Sequence, residues 1–482
     1  MATLALGAGA VTDVAVTIGT RTDAPGDVVQ ILYSPDPNWI GAALTPGVVT
    51  QAADDNTCRE EITDLEPDTV YFYDQVVNGT PTGITKQVRT FPEIGVDAPF
   101  SIAFGSCIKF LTPTLPMWAS IRGKGPRLMI INGDRVYADS ADLAVMRAKL
   151  RALYEHAGFR DALVHTTPEL DLIDDHELLN NANGSTAGWA AVRQAYGEYG
   201  VHYPCPNPGV TLEQECRIGN VHVIGLDTRE QRASSKPLYP SATYNGDGWG
   251  VAQAGTTSTQ IVVPPKVTGA DINNITSKTY IEIENVGVWR AQSWTYSTRT
   301  LVPREPIPGM APGVRFKTKD ASMLDKDGGA NSQTERLIAT CNASPHRWIL
   351  LVTSVPMNVT AGAFSESWKG FDALMMELRY IAQRLPLAVR RRILIIAGDR
   401  HCFWLDDGAH SGLIDIPEVL SSALDQDTLS VGSVLASNGS KTGKKNFGLV
   451  EIGVDPHTLT VTGWDENGIA LGGITPLVLQ SV

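Results

Sequence analysis

The chain lacks any run long and apolar enough to span a bilayer as a helix, which argues against a transmembrane segment. It is also poor in cysteine. Cys58, Cys107, Cys205, Cys216, Cys341 and Cys402 are too few in 482 residues to build a disulfide scaffold. Cys205 and Cys216 flank a Pro/Gly-rich turn and can pair in an oxidising compartment; two free thiols fit the same spacing. Positive charge is in deficit: 39 Lys and Arg stand against 52 Asp and Glu, for a net charge of −13. Such a surface excludes broad binding to nucleic acid or anionic membrane, so no stable nucleic-acid partner is expected. An anionic substrate would have to be attracted locally, by cations inside a cleft. Internal repeats and low-complexity tracts are missing too. The opening stretch, MATLALGAGAVTDVAV, has neither the basic start nor the apolar core of a secretory signal. Location stays open on that basis: a cytoplasmic chain, or one whose leader has been replaced by Met.

What is present is an ordinary globular mix, 43% hydrophobic and 19% charged, long enough for two or three domains. Residues 1–95 carry period-two alternation in AVTDVAVTIGTRTD, VVQILYS and TVYFYDQVV, separated by turn residues, which predicts an antiparallel β-sandwich. The stretch from Leu65 to Tyr73 is similar to the tyrosine-corner segment of an immunoglobulin or fibronectin type III domain. Residues 96–482 switch to strands alternating with helices, the pattern of an α/β domain. Helices are expected over SADLAVMRAKLRALYEHAGF, with Ser140 as N-cap, over AAVRQAYGEY and over FDALMMELRYIAQRL. Residues 235–325 fit neither pattern; their β-rich, Gly/Pro-punctuated text predicts an insertion in a connection. The tail, FGLVEIGVDPHTLTVTGWDENG, predicts a hairpin that adds an antiparallel edge.

Three apolar runs end abruptly in charge. Ile130-Ile131 leads into Gly133-Asp134-Arg135-Val136-Tyr137, Leu172-Ile173 into Asp174-Asp175-His176-Glu177, and Leu394-Ile395-Ile396 into Gly398-Asp399-Arg400-His401. Short apolar runs read as buried strands, and an α/β sheet places its site just past their C-terminal ends. Asp134 can bridge two cations, and a Tyr137 phenolate is a hard ligand suited to a trivalent metal such as ferric iron. The alternative is an Asp that caps the next helix beside a packed tyrosine. Three acids and a histidine from Asp174 to Glu177 cannot all be buried cheaply without cations. One of the Asp174-Asp175 pair can ligate metal while His176 faces substrate as an acid or anchor. Asn180 and Asn181 add carbonyl oxygens of the kind calcium takes. Asp399 and His401, at i and i+2 of an extended segment, would point the same way. Gly398 lets the backbone approach closely.

Cys107, ending AFGSC, is a small buried hydrophobe unless it faces the same centre, where a metal would deprotonate it. Cys402 reads as structural. Asp227-Thr228-Arg229 closes a further strand, and its guanidinium either grips a phosphate or braces the loop as an Asp–Arg pair. His156, His202, His222, His346, His410 and His457 lack comparable acidic surroundings and read as structural or solvated.

The ordered segments AFGSC, NGDRVYAD, DDHELLNN, RQAYGEY, IGLDTREQR, RWILLVTSVPM, SWKGFDALMMELRYI and GDRHCFW together resemble the alkaline phosphatase D (PhoD-like) metallophosphoesterases, nearly end to end. The Gly-Asp-x-x-Tyr element is shared with purple acid phosphatases. The resemblance implies a four-layer α/β/β/α catalytic sandwich preceded by an immunoglobulin-like domain. It implies ferric iron held by Cys107, Asp134, Tyr137 and His401. One or two calcium ions would lie beyond Asp134, shared with Asp399 and a member of the Asp174-Asp175 pair; other divalent metals are compatible. His176 would sit by the leaving group and Arg229 would hold the phosphate. The implied reaction is attack of a metal-bound hydroxide on a small phosphate mono- or diester. Three features depart from the family: no twin-arginine leader, a longer and more β-rich 235–325 segment that can act as a lid, and Arg400 where a small apolar residue is expected. Alternatives are a phospholipase-D-like diesterase acting on lipid head groups and a non-catalytic binding protein on a decayed scaffold. A non-haem iron oxygenase is more remote, since no paired-His triad is evident.

Overall fold

The apolar runs are strands, and their alternation assigns each side chain to a layer. In Leu128–Asn132, Leu128 and Ile130 enter one core while Met129 and Ile131 enter another. In Trp348–Val352 and Ile393–Ala397, Trp348, Leu350, Leu394 and Ile396 join that first core, and Ile349, Leu351, Ile393 and Ile395 join a third. Strands that are apolar on both faces belong inside a layered structure, covered on each side. The computed structural model shows this arrangement over residues 3–207, 210–232, 249–263, 279–295, 297–319, 324, 332–357, 372–410, 415–428 and 436–481.

Two large sheets share the first core. One has nine strands, in the spatial order Leu477–Gln480, His457–Asp465, Asn446–Val454, Phe100–Gly105, Leu128–Asn132, Glu169–Leu172, Thr3–Gly9, Val16–Thr22 and Thr57–Ile62. The other has seven: Gln214–Ile218, Val221–Gly225, Trp348–Val352, Ile393–Ala397, Glu418–Ser421, Phe403–Asp406 and Ser440–Lys441. The middle of each sheet is parallel. Helices Met117–Gly123, Leu143–Glu155 and Trp189–Tyr199 pack on the outer face of the first sheet, and Gln333–Ala343 and Asp372–Arg384 on the outer face of the second. No helix among the described residues is long and apolar enough to cross a membrane.

The first ninety residues do not stand apart. Strands Thr3–Gly9, Val16–Thr22 and Thr57–Ile62 extend the nine-stranded sheet, with Gly9 in parallel register with Glu169. Val28–Ser34 and Val70–Val77 belong to a separate sheet with four short strands, and Ile31, Tyr71 and Val88 share the core of Ile102 and Leu350. Alternation shows which side chains turn inward, not which neighbouring edge a strand will pair with. The Tyr71 hydroxyl accepts the Glu66 N–H at 3.0 Å, closing the corner expected there.

Helix Leu143–Glu155 is capped by Asp142, whose Oδ1 accepts the Ala144 N–H at 2.8 Å. Ser140, the expected cap, lies two residues earlier and accepts the Asp142 N–H at 3.0 Å. The tail forms the expected hairpin, Asn446–Val454 pairing antiparallel with Phe100–Gly105. All six cysteines are free; Cys205 Sγ lies 3.2 Å from the Thr211 carbonyl rather than bonded to Cys216.

Within the 235–325 segment, the described strands form a six-stranded antiparallel sheet with its own core around Ile281, Trp289 and Phe316. It sits on helix Asp372–Arg384: Tyr280 donates to Glu377 Oε1 at 3.0 Å and the Val288 N–H to Gln383 Oε1 at 2.8 Å. Residues 235–248 and 264–278, part of the expected lid, and residues 367–371 of the SWKGF motif lie outside the described residues.

Candidate metal centre

Cys107 follows the strand Phe100–Gly105, Asp134 follows Leu128–Asn132, and Asp174 to Glu177 follow Glu169–Leu172. Asp399 and His401 follow Ile393–Ala397 in the opposite sheet. All leave the C-terminal ends of parallel strands, so one end of the layered core collects them. Two glycines allow the crowding. A Cβ on Gly133, at φ +107°, would lie 2.6 Å from Asp174 Cβ. One on Gly398 would lie 2.7 Å from Ser106 Oγ.

Cys107, Asp134, Asp399 and His401 have φ of +66°, +52°, +74° and +49°. The left-handed region is costly for these residue types and is held only where the surroundings over-determine it. It also corrects the reading of Asp399 and His401 as side chains projecting from one extended segment. The strand has ended, both residues are left-handed, and their side chains fall in different ligand sets of the same centre.

The side chains form three overlapping sets whose ligand atoms lie within 4.8 Å of one another: Cys107, Asp134 and His401; Asp134, Asp175 and His176; Asp174, Asp175 and Asp399. Asp134 belongs to the first two sets and Asp175 to the last two, so the sets make one continuous centre. Tyr137 joins it, its hydroxyl donating to Asp134 Oδ2 at 2.8 Å and lying 3.4 Å from His401 Nε2. The Cys107 thiol lies 3.3 Å from the same Asp134 oxygen and accepts from Ser422 Oγ at 3.1 Å.

Charge here is unbalanced. Burial and the neighbouring acids Asp174, Asp175, Glu177 and Asp399 push Asp134 well above the usual carboxyl range. Burial and Asp174 do the same to Asp399, against the opposing pull of Arg229. Burial, then Asp134, pushes the Cys107 thiol far up. Burial, with His176 and Lys109 adding to it, lowers His401 to about 4, so its imidazole is neutral, the form that ligates metal. Asp174 Oδ2 is buried without a hydrogen-bond partner, as are both polar atoms of the Asn132 amide. Surplus buried carboxylates, a neutral imidazole, a phenol and a thiol fit bound cations. A mixed S, N and O set suits a transition ion, and the carboxylate set suits a hard one.

Arg229 is placed differently from the phosphate-gripping expectation. It is fully buried, its Nε donates to Asp174 Oδ1, and its Nη2 lies 3.3 Å from Asp175 Oδ1 and 3.8 Å from Asp399 Oδ1. Its partners are acids that follow other strands, and not Asp227. Asp227 accepts the backbone N–H groups of Arg229 and Glu230 at 3.2 and 2.9 Å.

His176 is at the partly open edge, its ring centroid 4.2 Å from that of Tyr137. Its Nδ1 lies 2.6 Å from Asp139 Oδ1. Sequence reading missed Asp139, although it closes the NGDRVYAD segment. It also missed the serines that shape the centre: Ser106, Ser422, and Ser354, which donates to Asp174 Oδ1 at 2.8 Å. Isolated serines carry no local signal. Glu177 is a brace, accepting the N–H of Asp174 at 2.8 Å and of Arg135 at 2.6 Å. Asn180 and Asn181 are exposed; only the backbone N–H of Asn181 reaches Asp175. Cys402 is buried against Trp404 and Leu420.

No protein-family model matches the chain, and no curated protein does. Among solved structures, one described as the structure of PhoD matches 99% of this chain and 92% of its own, with a TM-score of 0.66 at 15% identity. The fold is that of PhoD. Purple acid phosphatase PPD1 from yellow lupin (Lupinus luteus) seeds matches 99% of this chain and 74% of its own, with a TM-score of 0.59 at 10% identity. At such identities the likeness to PhoD and to the plant phosphatase is one of fold: mixed α/β, rich in sheet.

Proposed function

We propose that the chain is a metal-dependent phosphoester hydrolase, built as a four-layer α/β/β/α sandwich whose nine-stranded sheet is extended by strands of an immunoglobulin-like segment within residues 1–95. The observation that carries this reading is the continuity of three ligand sets through Asp134 and Asp175, in a buried site with more acid than Arg229 balances. Cys107, Asp134, Tyr137 and His401 would hold a ferric ion, and Asp174, Asp175 and Asp399 would share a second, calcium-like ion with Asp134. Such cations, when bound, bring the pKa of water down to about 7 and neutralise charge on phosphate oxygens. The chain's own groups do the rest. Asp134 lies between the two sets. Arg229 offsets part of the acid charge so that the pocket stays folded. Asp139 at Nδ1 orients His176 and leaves Nε2 to face the leaving oxygen, where a proton is needed. The half-open edge at His176 is the entry for a small phosphate ester.

Elemental analysis of the purified protein, paired with assays on a chromogenic monoester, a diester and phosphatidylcholine, tests the reading. Bound metal and chelator-sensitive hydrolysis of one of the three are expected. A protein that takes up neither iron nor calcium, and cleaves none of them, would refute it.

A further inference from the structure

A second cleft, of about 650 Å³, opens at the opposite end of the seven-stranded sheet. Asn220, Arg347 and Arg392 lie just before the strands Val221–Gly225, Trp348–Val352 and Ile393–Ala397, and all three line it. The candidate metal centre follows the far ends of the same parallel strands. Five residues at about 3.3 Å each, plus the flanking turns, separate the two places by on the order of 20 Å.

The cleft is cationic in an otherwise acidic protein. Arg347, Arg391 and Arg392 line it and no acid does. Asp97, beside it, is already engaged by Arg347 Nη2 at 3.0 Å and by His457 at 3.7 Å. Arg391 is exposed, and neither it nor Arg392 has an acidic partner among the described residues. Arg392 Nη1 donates to the Ser344 carbonyl at 3.1 Å, which fixes that side chain at the wall. His346, 2% exposed, also lines the cleft, with Nδ1 buried and without a hydrogen-bond partner. Leu387, 46% exposed, and Ala388 supply an apolar flank.

We propose that this cleft binds a small organic phosphate, its anionic head on Arg391 and Arg392 and its apolar body against Leu387 and Ala388. Guanidinium groups lacking a carboxylate are matched to a phosphate's paired oxygens. The volume is that of a small-ligand pocket. The site is remote from the metal centre and does not rest on the hydrolase reading.

Calorimetric titration with benzylphosphonate, whose C–P bond an esterase does not cut, tests it in the full-length protein. Inorganic phosphate and benzyl alcohol serve as the charge-only and apolar-only probes. The titrations are run in the Asp134→Asn background, which disables the metal centre as a competing phosphate site, and binding is expected to persist there. It should weaken at least about tenfold in Arg391→Glu, an exposed position whose change leaves folding and any hydrolytic turnover intact. Leu387→Ala should weaken benzylphosphonate and leave inorganic phosphate unaffected. Undiminished affinity in Arg391→Glu, or loss of all binding in Asp134→Asn, would overturn the proposal.

Discussion

Two buried ionic clusters meet at the Asp134–Arg135 peptide, and they differ in their charge balance. On one side Arg135, 1% exposed, has Nη1 on Asp171 and Nη2 at 2.6 Å from both Glu169 Oε2 and the Tyr154 hydroxyl. His202 Nδ1 lies 3.0 Å from Asp171 Oδ1. Two acids face an arginine and a histidine. Burial works to raise Asp171, but His202 and Arg135 override it and hold the carboxyl far below its usual range. Across the peptide bond, Arg229 faces Asp174, Asp175 and Asp399; burial and neighbouring acids push Asp134, Asp174 and Asp399 up, while at Asp175 burial is outweighed by Arg229 and His176, which hold it down. In the first cluster a basic group of the chain faces each acid, although burial still raises Glu169 to about 7. The second carries more acid than Arg229 balances. Burial alone does not mark a functional site; burial with an uncompensated charge does.

The sharpest way to break this contrast is Arg135→Met. Removing one partner of a closed buried pair strands the other charges, at a cost of about 3–5 kcal/mol. Urea unfolding should show that loss, while metal per folded molecule stays unchanged. Undiminished stability would mean that the two clusters are not different in kind. Next in size is Asp134→Asn. Loss of an outer-shell partner already costs about 10–100-fold in metal sites, so loss of a shared ligand should cut turnover and metal retention by more than about a hundredfold. In chelator the same variant should melt no lower than the wild type, because a repelled acid has gone. A large drop in its melting temperature would show Asp134 to be a structural acid like Asp171. Smaller again is Asp139→Asn, expected to lower kcat about tenfold with metal content intact, read by steady-state kinetics beside elemental analysis. If kcat stayed put, the Asp139–His176 contact would be surface dressing.

The smallest effect is a pH dependence set away from the centre. Burial lowers His165 and His346 from 6.5 to about 4, with Lys86 and His222 as the next contributors. Such a histidine takes up its proton first in the unfolded chain. Its contribution is therefore whole above about pH 6.5 and is lost as pH falls towards about 4. The melting temperature should decline across that window, and His346→Gln should flatten the decline. A wild-type slope in the variant would remove His346 from the account.

Much of this architecture is legible without coordinates. The strands before Asp134, Asp174 and Asp399 announce themselves because a two-sided buried strand must be apolar on both faces, and the charges that follow mark where each ends. The terminal hairpin shows through its period-two alternation. Less legible was the joining of Thr3–Gly9 to Glu169–Leu172, since a backbone edge pairs with whatever edge is nearby and leaves no mark on side-chain pattern. The parting of Asp399 from His401 was hidden for a related reason: both are left-handed, on either side of Arg400, and neither is a glycine. The partners of Arg229 escaped because they are residues 174, 175 and 399, far off in the chain.

By itself, then, the sequence determined the alternating layers and the placing of acids, phenol, thiol and imidazole at strand ends, because hydrophobic periodicity and abrupt charge are local properties. Only the tertiary structure decided which acid shares its oxygens with which neighbour, and that Arg229 turns inward to them. It alone gathers the arginines at positions 347, 391 and 392 at the far end of the same sheet. Those outcomes depend on distances between strands remote in sequence, and Coulomb interactions act through space, not along the chain.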